Sequence, residues 1–322
     1  MGQSLRPAVV LGPGAMGLYL AAALQQTTDV LVVGRRSRLE TLRLADGTPG
    51  VSLSGLEVRD VPLTLFPTDS TDPLPERAVI WLAIKATQLS RAIDWLQPRL
   101  QPGSIVVACQ NGLGIDRYVA ERLPHVARVR AAMWIGTRLE GPSEVFVAGK
   151  HRIDVVARPE EVGGILQRQM LQAGLSVQLE RDVTRIEWRK SLWNLAVAGV
   201  AGVLDAENGV VLTDPDAQAL ASALLAEALA VAAAEGVSLG EEDIAPLWTT
   251  TRNTASNIGS LVQDLRSGRQ TETEWLHGAV VSLGAQHGIA VPAHQTVLRL
   301  LRARERRCGI EPGDPVPVAA LL

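Results

Sequence analysis

Lysine is almost missing from this chain: of 31 basic residues only Lys85, Lys150 and Lys190 are lysines. Arginine does not give up its proton, whereas lysine can. In a chain whose solvated faces have drifted to arginine, the surviving lysines are enriched for sites that need a compact ammonium or a proton donor. Cysteine is scarcer still. Cys109 and Cys308 lie far apart and in no metal-ligand spacing, which excludes a disulfide scaffold and a metal centre built on thiolates, and fits a reducing compartment. Cys109 lies in an apolar run and reads as a buried structural thiol. Blocks of one charge are absent too, and a net charge of -3 leaves no electrostatic footprint for nucleic acid. The one basic cluster, Arg302, Arg304, Arg306 and Arg307, reads as the solvated end of a last helix, where cations suit the dipole. No apolar run reaches the length of a membrane span, Leu192 to Leu204 being the most apolar and too short. No charged-then-apolar leader precedes the first strand. The expectation is a cytoplasmic protein with neither nucleic acid nor membrane as partner.

What is present is ordered. At 322 residues the chain suggests two domains, each able to bury its own core. Ala8 to Leu11 is a short apolar run ending in glycines, Ala15 to Gln25 reads as a helix, and Asp29 to Val33 as a second strand. Val51 to Val58 and Val61 to Leu65 alternate and suggest an inserted hairpin. Ala78 to Ile84 and Ser104 to Cys109 are continuous apolar runs, as expected for strands buried on both faces of a parallel sheet. Helix signals cover Gln88 to Leu100 and Pro159 to Ala173. Further strands are expected at Arg128 to Thr137, Ser143 to Ala148, Ile153 to Val156 and Ser176 to Leu179. From Asp182 onward helical periodicity dominates, at Asp216 to Ala234, Ile244 to Arg266, Glu272 to His287 and Ala293 to Arg306. The predicted class is α/β: a doubly wound Rossmann-type domain over residues 1–180, then an all-helical domain over residues 181–322.

The first chemical motif is Gly12-Pro13-Gly14-Ala15-Met16-Gly17. After a strand and opening a helix, such a turn lets Gly12 bend sharply, Gly14 admit a pyrophosphate, and Gly17 pack helix on strand. The helix-start amides then meet the phosphate charge. At the end of the second strand a carboxylate would take a ribose hydroxyl, but the sequence reads Val32-Val33-Gly34-Arg35-Arg36. This favours NADP(H), with Arg35 the foremost candidate and Arg36 or Arg38 in support. Lys85 and Asn111 each follow a buried strand at the carboxyl end, where open α/β sheets bind ligands.

These residues, with Ile84-Lys85-Ala86, Gln110-Asn111-Gly112-Leu113-Gly114, Trp188 to Asn194, and Ser260 to Asp264 through Thr271-Glu272, occur in an order that resembles the ketopantoate reductases over almost the whole chain. The resemblance implies an NADPH-binding first domain, a helical domain that completes the site, and reduction of a 2-keto acid to a 2-hydroxy acid. It implies Lys190 as general acid and Glu272 as the acid that orients the reacting oxygen. Ser260 would bind the substrate carboxylate, with Asn194 and Asn257 assisting, and Lys85 and Asn111 would lie near the nicotinamide ribose and the substrate. A proton donor at Lys190 makes independent sense, because hydride addition to a ketone builds charge on oxygen. Two positions depart from the family pattern. Ala198 and Gly199 stand where a second Asn and a Pro are usual, and Glu274 stands for an Asp, so the substrate can differ from ketopantoate. The other readings are an opine-type or hydroxy-acid dehydrogenase on the same plan, and a non-catalytic NADP(H) sensor. The Ala/Leu-rich helices of the second domain could support a homodimer.

Overall fold

The computed structural model describes residues 5–321, with the side chains of residues 149–151 and 318 outside the description; Lys150 is among these. The chain forms two compact units. The first runs to Ile84 and takes in Gln88–Gln110 and Val119–Val183; the second takes in Lys85–Thr87, Asn111–Tyr118 and everything from Thr184.

The first unit is a ten-stranded mixed sheet with helices. Its strands are β1 (Ala8–Leu11), β2 (Val30–Gly34), β3 (Gly50–Gly55), β4 (Arg59–Pro62), β5 (Thr64–Pro67), β6 (Val79–Leu82), β7 (Ile105–Ala108), β8 (Ala127–Leu139), β9 (Glu144–Arg158) and β10 (Ser176–Leu179). The hydrogen-bonded order is β4-β3-β9-β8-β7-β6-β1-β2-β5, with β10 on β9. β5, β2, β1, β6, β7 and β8 run parallel to one another, and β9 runs against β8. The apolar runs of β1, β6 and β7 are buried at every residue, as strands covered on both faces require. The chain leaves β1 for β2 on one side and returns to β6 on the other, so the strand order switches between β1 and β6. At such a switch, open α/β sheets present their ligand crevice at the carboxyl ends.

Helix α1 (Ala15–Leu24) is apolar all round and correspondingly buried from Gly17 to Leu24. It touches β1, β2, β3, β8 and β9. The expected hairpin is half right: β3 and β4 pair antiparallel, but the run Val61 to Leu65 is not one strand. It breaks at Leu63, and β5 pairs with β2 at the other end of the path. One residue therefore joins the two ends of the ladder, and the sheet curls round α1. The two strands expected over Ser143 to Val156 are a single β9. Short α2 (Arg36–Leu39), α3 (Leu89–Leu96) and α5 (Glu161–Gln172) complete this unit, while α4 (Ile115–Arg122), not expected, divides between the two.

The second unit is helical: α6 (Val183–Trp193), α7 (Gly199–Leu204), α8 (Val210–Thr213), α9 (Pro215–Ala234), α10 (Glu241–Asn253), α11 (Ser260–Arg266), α12 (Ala279–His287), α13 (Pro292–Arg307) and α14 (Val318–Leu321). Its centre is α9, capped by Asp214, whose side chain accepts from the amides of Asp216 and Ala217. At 20 residues α9 is long and apolar enough to cross a membrane, which corrects the expectation that no segment is. Ala217, Ala221, Leu224, Ala228, Val231 and Ala232 form its buried stripe, packed on α12, α13 and residues 194–198.

Two further expectations are corrected. The helix over Ile244 to Arg266 is broken between Asn253 and Ser260, where Asn208 and Gly209 donate backbone hydrogen bonds to the carbonyls of Asn257 and Ala255. In addition, Asn194–Ala198 and Glu274–Gly278 are wide π-helical turns rather than regular helix.

Candidate active site

The glycine turn of the α/β unit is a surface of backbone. Gly12 follows β1 with φ +114°, and a Cβ there would lie 2.6 Å from the Ala83 carbonyl oxygen. A Cβ on Gly17 would lie 2.0 Å from the Gly12 carbonyl oxygen, so helix and strand approach as only glycine permits. Gly14 is exposed, and a Cβ on it would meet nothing within 4 Å. The first amide of this helix with an intrahelical partner is Leu18, donating to Gly14. The amides of Ala15, Met16 and Gly17 are therefore left to an outside acceptor, at the end of the dipole that favours an anion. Pro13 contributes its carbonyl, which accepts from Arg38 Nε and Nη2 at 3.1 and 2.9 Å. Arg36 is occupied by a bidentate pair with Asp69 at 3.0 Å. Arg35, at the cap of α2, is exposed; its carbonyl accepts from the amides of Arg38 and Leu39, while its guanidinium makes no hydrogen bond or ion pair among the described residues. This arrangement fits a dinucleotide pyrophosphate, with one cation at the second strand end still open to a ligand. Directly after β7, the half-buried Cys109 has its thiol pushed up to about 12 by burial, which disfavours the thiolate.

In the helical unit a cavity is lined by Lys85, Asn111, Asn194, Ala198, Ser260, Leu261, Asp264, Glu272 and Leu276. Lys85 Nζ lies 2.5 Å from Asp264 Oδ2, and Asp264 Oδ1 also accepts from Arg269 Nε at 3.1 Å. Burial alone would lower the Lys85 pKa, but the charges of Glu272 and Asp264 outweigh it and hold the amine above its ordinary value. Lys85 is thus a fixed cation. Glu272, buried, accepts from the Ala86 amide at 3.0 Å through Oε1 and from Asn111 Nδ2 at 3.1 Å through Oε2. Each oxygen keeps a lone pair for a further donor.

The loop carrying Asn111 is pinned on several sides. The amides of Gly114 and Asp116 donate to the buried Glu187 at 2.8 and 3.1 Å, and Leu113 donates to the Trp275 carbonyl at 2.9 Å. Gly112, at φ +126°, would place a Cβ 2.8 Å from that of Trp275.

Asn194 opens the first π turn and Ala198 closes it, so the wide turn presents both to the cavity; such turns recur at functional sites. The second π turn packs against the first. His277 donates or accepts through Nδ1 to His294 Nδ1 at 3.0 Å, and His294 Nε2 pairs with the Leu224 carbonyl at 3.0 Å. A carbonyl only accepts, so His294 carries its proton on Nε2 and His277 donates from Nδ1. His277 Nε2 is then a bare, buried acceptor, and it lies 2.5 Å from where a Cβ on Gly199 would be. The His277 ring fills the space of a side chain at position 199.

Ser260, Leu261 and Asp264 lie on α11, with Ser260 and Asp264 one helical turn apart. Of the expected residues, Lys85, Asn111, Asn194, Ser260 and Glu272 line the cavity. Lys190 is half-buried on α6, one turn before Asn194, and Asn257 is exposed in the turn before α11; neither is among the lining residues. Asp264, Leu261 and Leu276 also line the cavity, beyond the residues expected from the sequence to form the site. The four-residue spacing from Ser260 was the available signal for Asp264. The cavity therefore combines one cation, two carboxylates, two amides and a hydroxyl with an apolar wall of Ala198, Leu261 and Leu276, a composition suited to a small oxygen-rich anion with an aliphatic part.

Residues 8–160 match the family described as Ketopantoate reductase PanE/ApbA, and residues 182–305 match its C-terminal counterpart, Ketopantoate reductase PanE/ApbA C terminal. The 2-dehydropantoate 2-reductase of Halobacterium salinarum is 29% identical over 308 residues, spanning 92% of this chain and 98% of that relative. The PanE/ApbA family ketopantoate reductase from Ralstonia eutropha superposes with a TM-score of 0.85 at 22% identity, covering 95% of this chain and 100% of the other. A D-mandelate dehydrogenase, solved with NADH and anilino(oxo)acetate, superposes with a TM-score of 0.84 at 21% identity over the same shares. At these identities the two structures speak for the fold alone. The two consecutive matches, on a chain with this glycine turn and this cavity, make it an oxidoreductase that belongs to the ketopantoate reductase family.

Proposed function

We propose that the protein reduces a 2-keto acid with NADPH, 2-dehydropantoate (ketopantoate) to pantoate being the first substrate to test. The observation that carries this reading is the cavity lining, where a fixed cation, amides, a hydroxyl and a buried carboxylate converge. Bound nicotinamide would supply the hydride to C2 of the keto acid. Ser260 and Asn194 donate hydrogen bonds to the substrate carboxylate, with Asn257 assisting from the turn before α11. Lys190, one turn before Asn194, gives its proton to the oxygen as charge develops there. Once that oxygen carries the proton, the new hydroxyl donates to Glu272, whose two hydrogen bonds leave lone pairs open, and is oriented by it. Gly12, Gly14 and Gly17, with the amides of Ala15 and Met16, hold the pyrophosphate after Pro13. Arg35 takes the 2'-phosphate, because Arg36 and Arg38 are already engaged.

Ala198 supports a second reading on the same site, a 2-keto acid with a purely apolar substituent, since a methyl wall offers nothing to a substrate hydroxyl. The test is oxidation of NADPH, with NADH as comparator, against a panel of 2-keto acids that includes ketopantoate and aliphatic and aryl analogues without a hydroxyl. Turnover of ketopantoate above the analogues supports the first reading, and the reverse order supports the second. Equal rates with NADH remove the role given to Arg35. No turnover on any keto acid leaves a dinucleotide-binding protein without this activity.

A further inference from the structure

Glu272 sits in a segment whose neighbours are tied to a single face of α13. Thr271 donates to Glu305 Oε1 twice, from Oγ1 at 2.6 Å and from its amide at 3.3 Å. The Thr273 amide donates to Thr271 Oγ1 at 3.2 Å, and the two threonine hydroxyls lie 2.7 Å apart. Glu274, two residues beyond Glu272, is gripped by Arg302, whose Nε and Nη2 meet Oε1 and Oε2 at 2.6 and 2.7 Å. Thr271, Thr273, Glu274 and Glu305 are all at most 2% exposed. Arg302 and Glu305 are three residues apart on α13 and share a face. Glu272 itself directs its carboxylate elsewhere, to Ala86, Asn111 and the cavity.

We propose that Arg302 and Glu305 are positioning residues for the reductase reaction: through Glu274 and Thr271 they fix the segment that presents Glu272 to the cavity. The inference rests on the functional reading above. Apolar residues could pack the same volume without desolvating an ion pair. A bidentate guanidinium–carboxylate pair instead fixes both distance and plane, and here it does so two residues from the carboxylate that the reaction needs. Glu305 adds the second tether, and one of its oxygens, Oε2, has no partner among the described residues. Burial and the neighbouring Glu274 charge push the Glu305 carboxyl up.

The test is a double-mutant cycle on the full-length protein, read as kcat and KM for the keto acid together with NADPH affinity. Glu305→Leu and Arg302→Met each lower kcat by about ten- to a hundredfold, the scale of a displaced site residue, and leave NADPH affinity within about twofold. Glu305→Gln, which retains the Oε1 acceptor, restores kcat to within about threefold of the parent. In a Glu272→Gln background the Glu305→Leu loss disappears, because residues that act through one another are not additive. If Glu305→Leu does not fold, Arg302→Lys, which keeps the charge and loses the bidentate geometry, is taken through the same cycle. Full additivity with Glu272→Gln, or near-parental kcat in both Glu305→Leu and Arg302→Met, overturns the inference. A parent enzyme inactive on every 2-keto acid overturns the functional reading on which it rests.

Discussion

In the α/β unit the surface offered to a ligand is main chain: Gly12, Gly14 and Gly17 remove side chains so that amides at the start of α1 are reachable. In the helical unit the cavity is walled by side chains drawn from residues as distant as Lys85 and Leu276. Each of the charged groups is held by another: Lys85 by Asp264, Glu272 by Asn111 and the Ala86 amide. A backbone site depends on conformation, and it tolerates much sequence change outside its glycines. A side-chain site depends on the identity of each group and on the groups beneath it, so single substitutions there act on chemistry. The first kind selects a class of cofactor; the second selects a reaction.

The largest effect expected from a single change falls in the helical unit. Lys190→Ala should lower kcat by about a hundredfold or more, the scale for losing a general acid, with NADPH affinity unchanged. Stopped-flow measurement of NADPH oxidation, paired with binding by fluorescence, separates the two quantities. Near-normal turnover would remove Lys190 from the mechanism and leave Lys85, the lysine that does line the cavity, as the proton donor to test next.

The same contrast explains what could be read from the sequence. The glycine turn is legible because its requirement is local: a strand, three glycines at fixed spacing and a helix. The buried runs of β6 and β7 are legible for the same reason, since burial on both faces leaves no polar residue in them. The break of the ribbon at Leu63 is not, because β5 chooses β2 as its partner across some thirty residues of chain, and alternation alone does not name a partner. The π turns are also silent: Asn194–Ala198 and Glu274–Gly278 carry no glycine or proline signal at their start, and the close approach of His277 to Gly199 joins residues far apart in the chain. The role of Asp264 is not legible in its segment because its partner, Lys85, lies 179 residues away.

The His277–His294 pair sets the next largest effect, and it belongs to the helical unit alone. Burial lowers both imidazoles, His294 to about 4 and His277 well below its ordinary value, where His294 adds to the shift. The folded state therefore keeps the pair neutral while the unfolded chain protonates near pH 6.5. The stabilisation is complete above about pH 6.5 and is lost as the pH falls through the folded value near 4, on the order of 3 kcal/mol for His294. The carboxylate of Glu227, which accepts from the amides of Ala293 and His294, is the acidic group beside this helix start. Chemical denaturation between pH 7 and pH 4.5 should show that loss, and the double change His277→Asn with His294→Asn should flatten it. An unchanged slope in the double variant would place the acid sensitivity in the carboxylates instead.

The smallest of these effects tests whether the α/β unit has any side-chain chemistry of its own. Among the arginines after β2, Arg36 is paired with Asp69 and Arg38 holds Pro13, so only Arg35 is left to meet a charge that a ligand brings. A charged hydrogen bond to a 2'-phosphate contributes about 1.5–3 kcal/mol, so Arg35→Ser should weaken NADPH by about tenfold or more and leave NADH nearly unaffected. Arg36→Ser should change neither by more than about twofold, because an exposed ion pair with Asp69 contributes little. The measurement is the ratio of kcat/KM for the two dinucleotides in each variant. If Arg36→Ser moves that ratio and Arg35→Ser does not, the Asp69 pair must open on binding, and the preference for the phosphorylated dinucleotide lies in an exchange of partners rather than in a waiting cation. If neither moves it, the α/β unit reads its ligand by backbone alone, and discrimination between the two dinucleotides has to come from somewhere other than the end of β2.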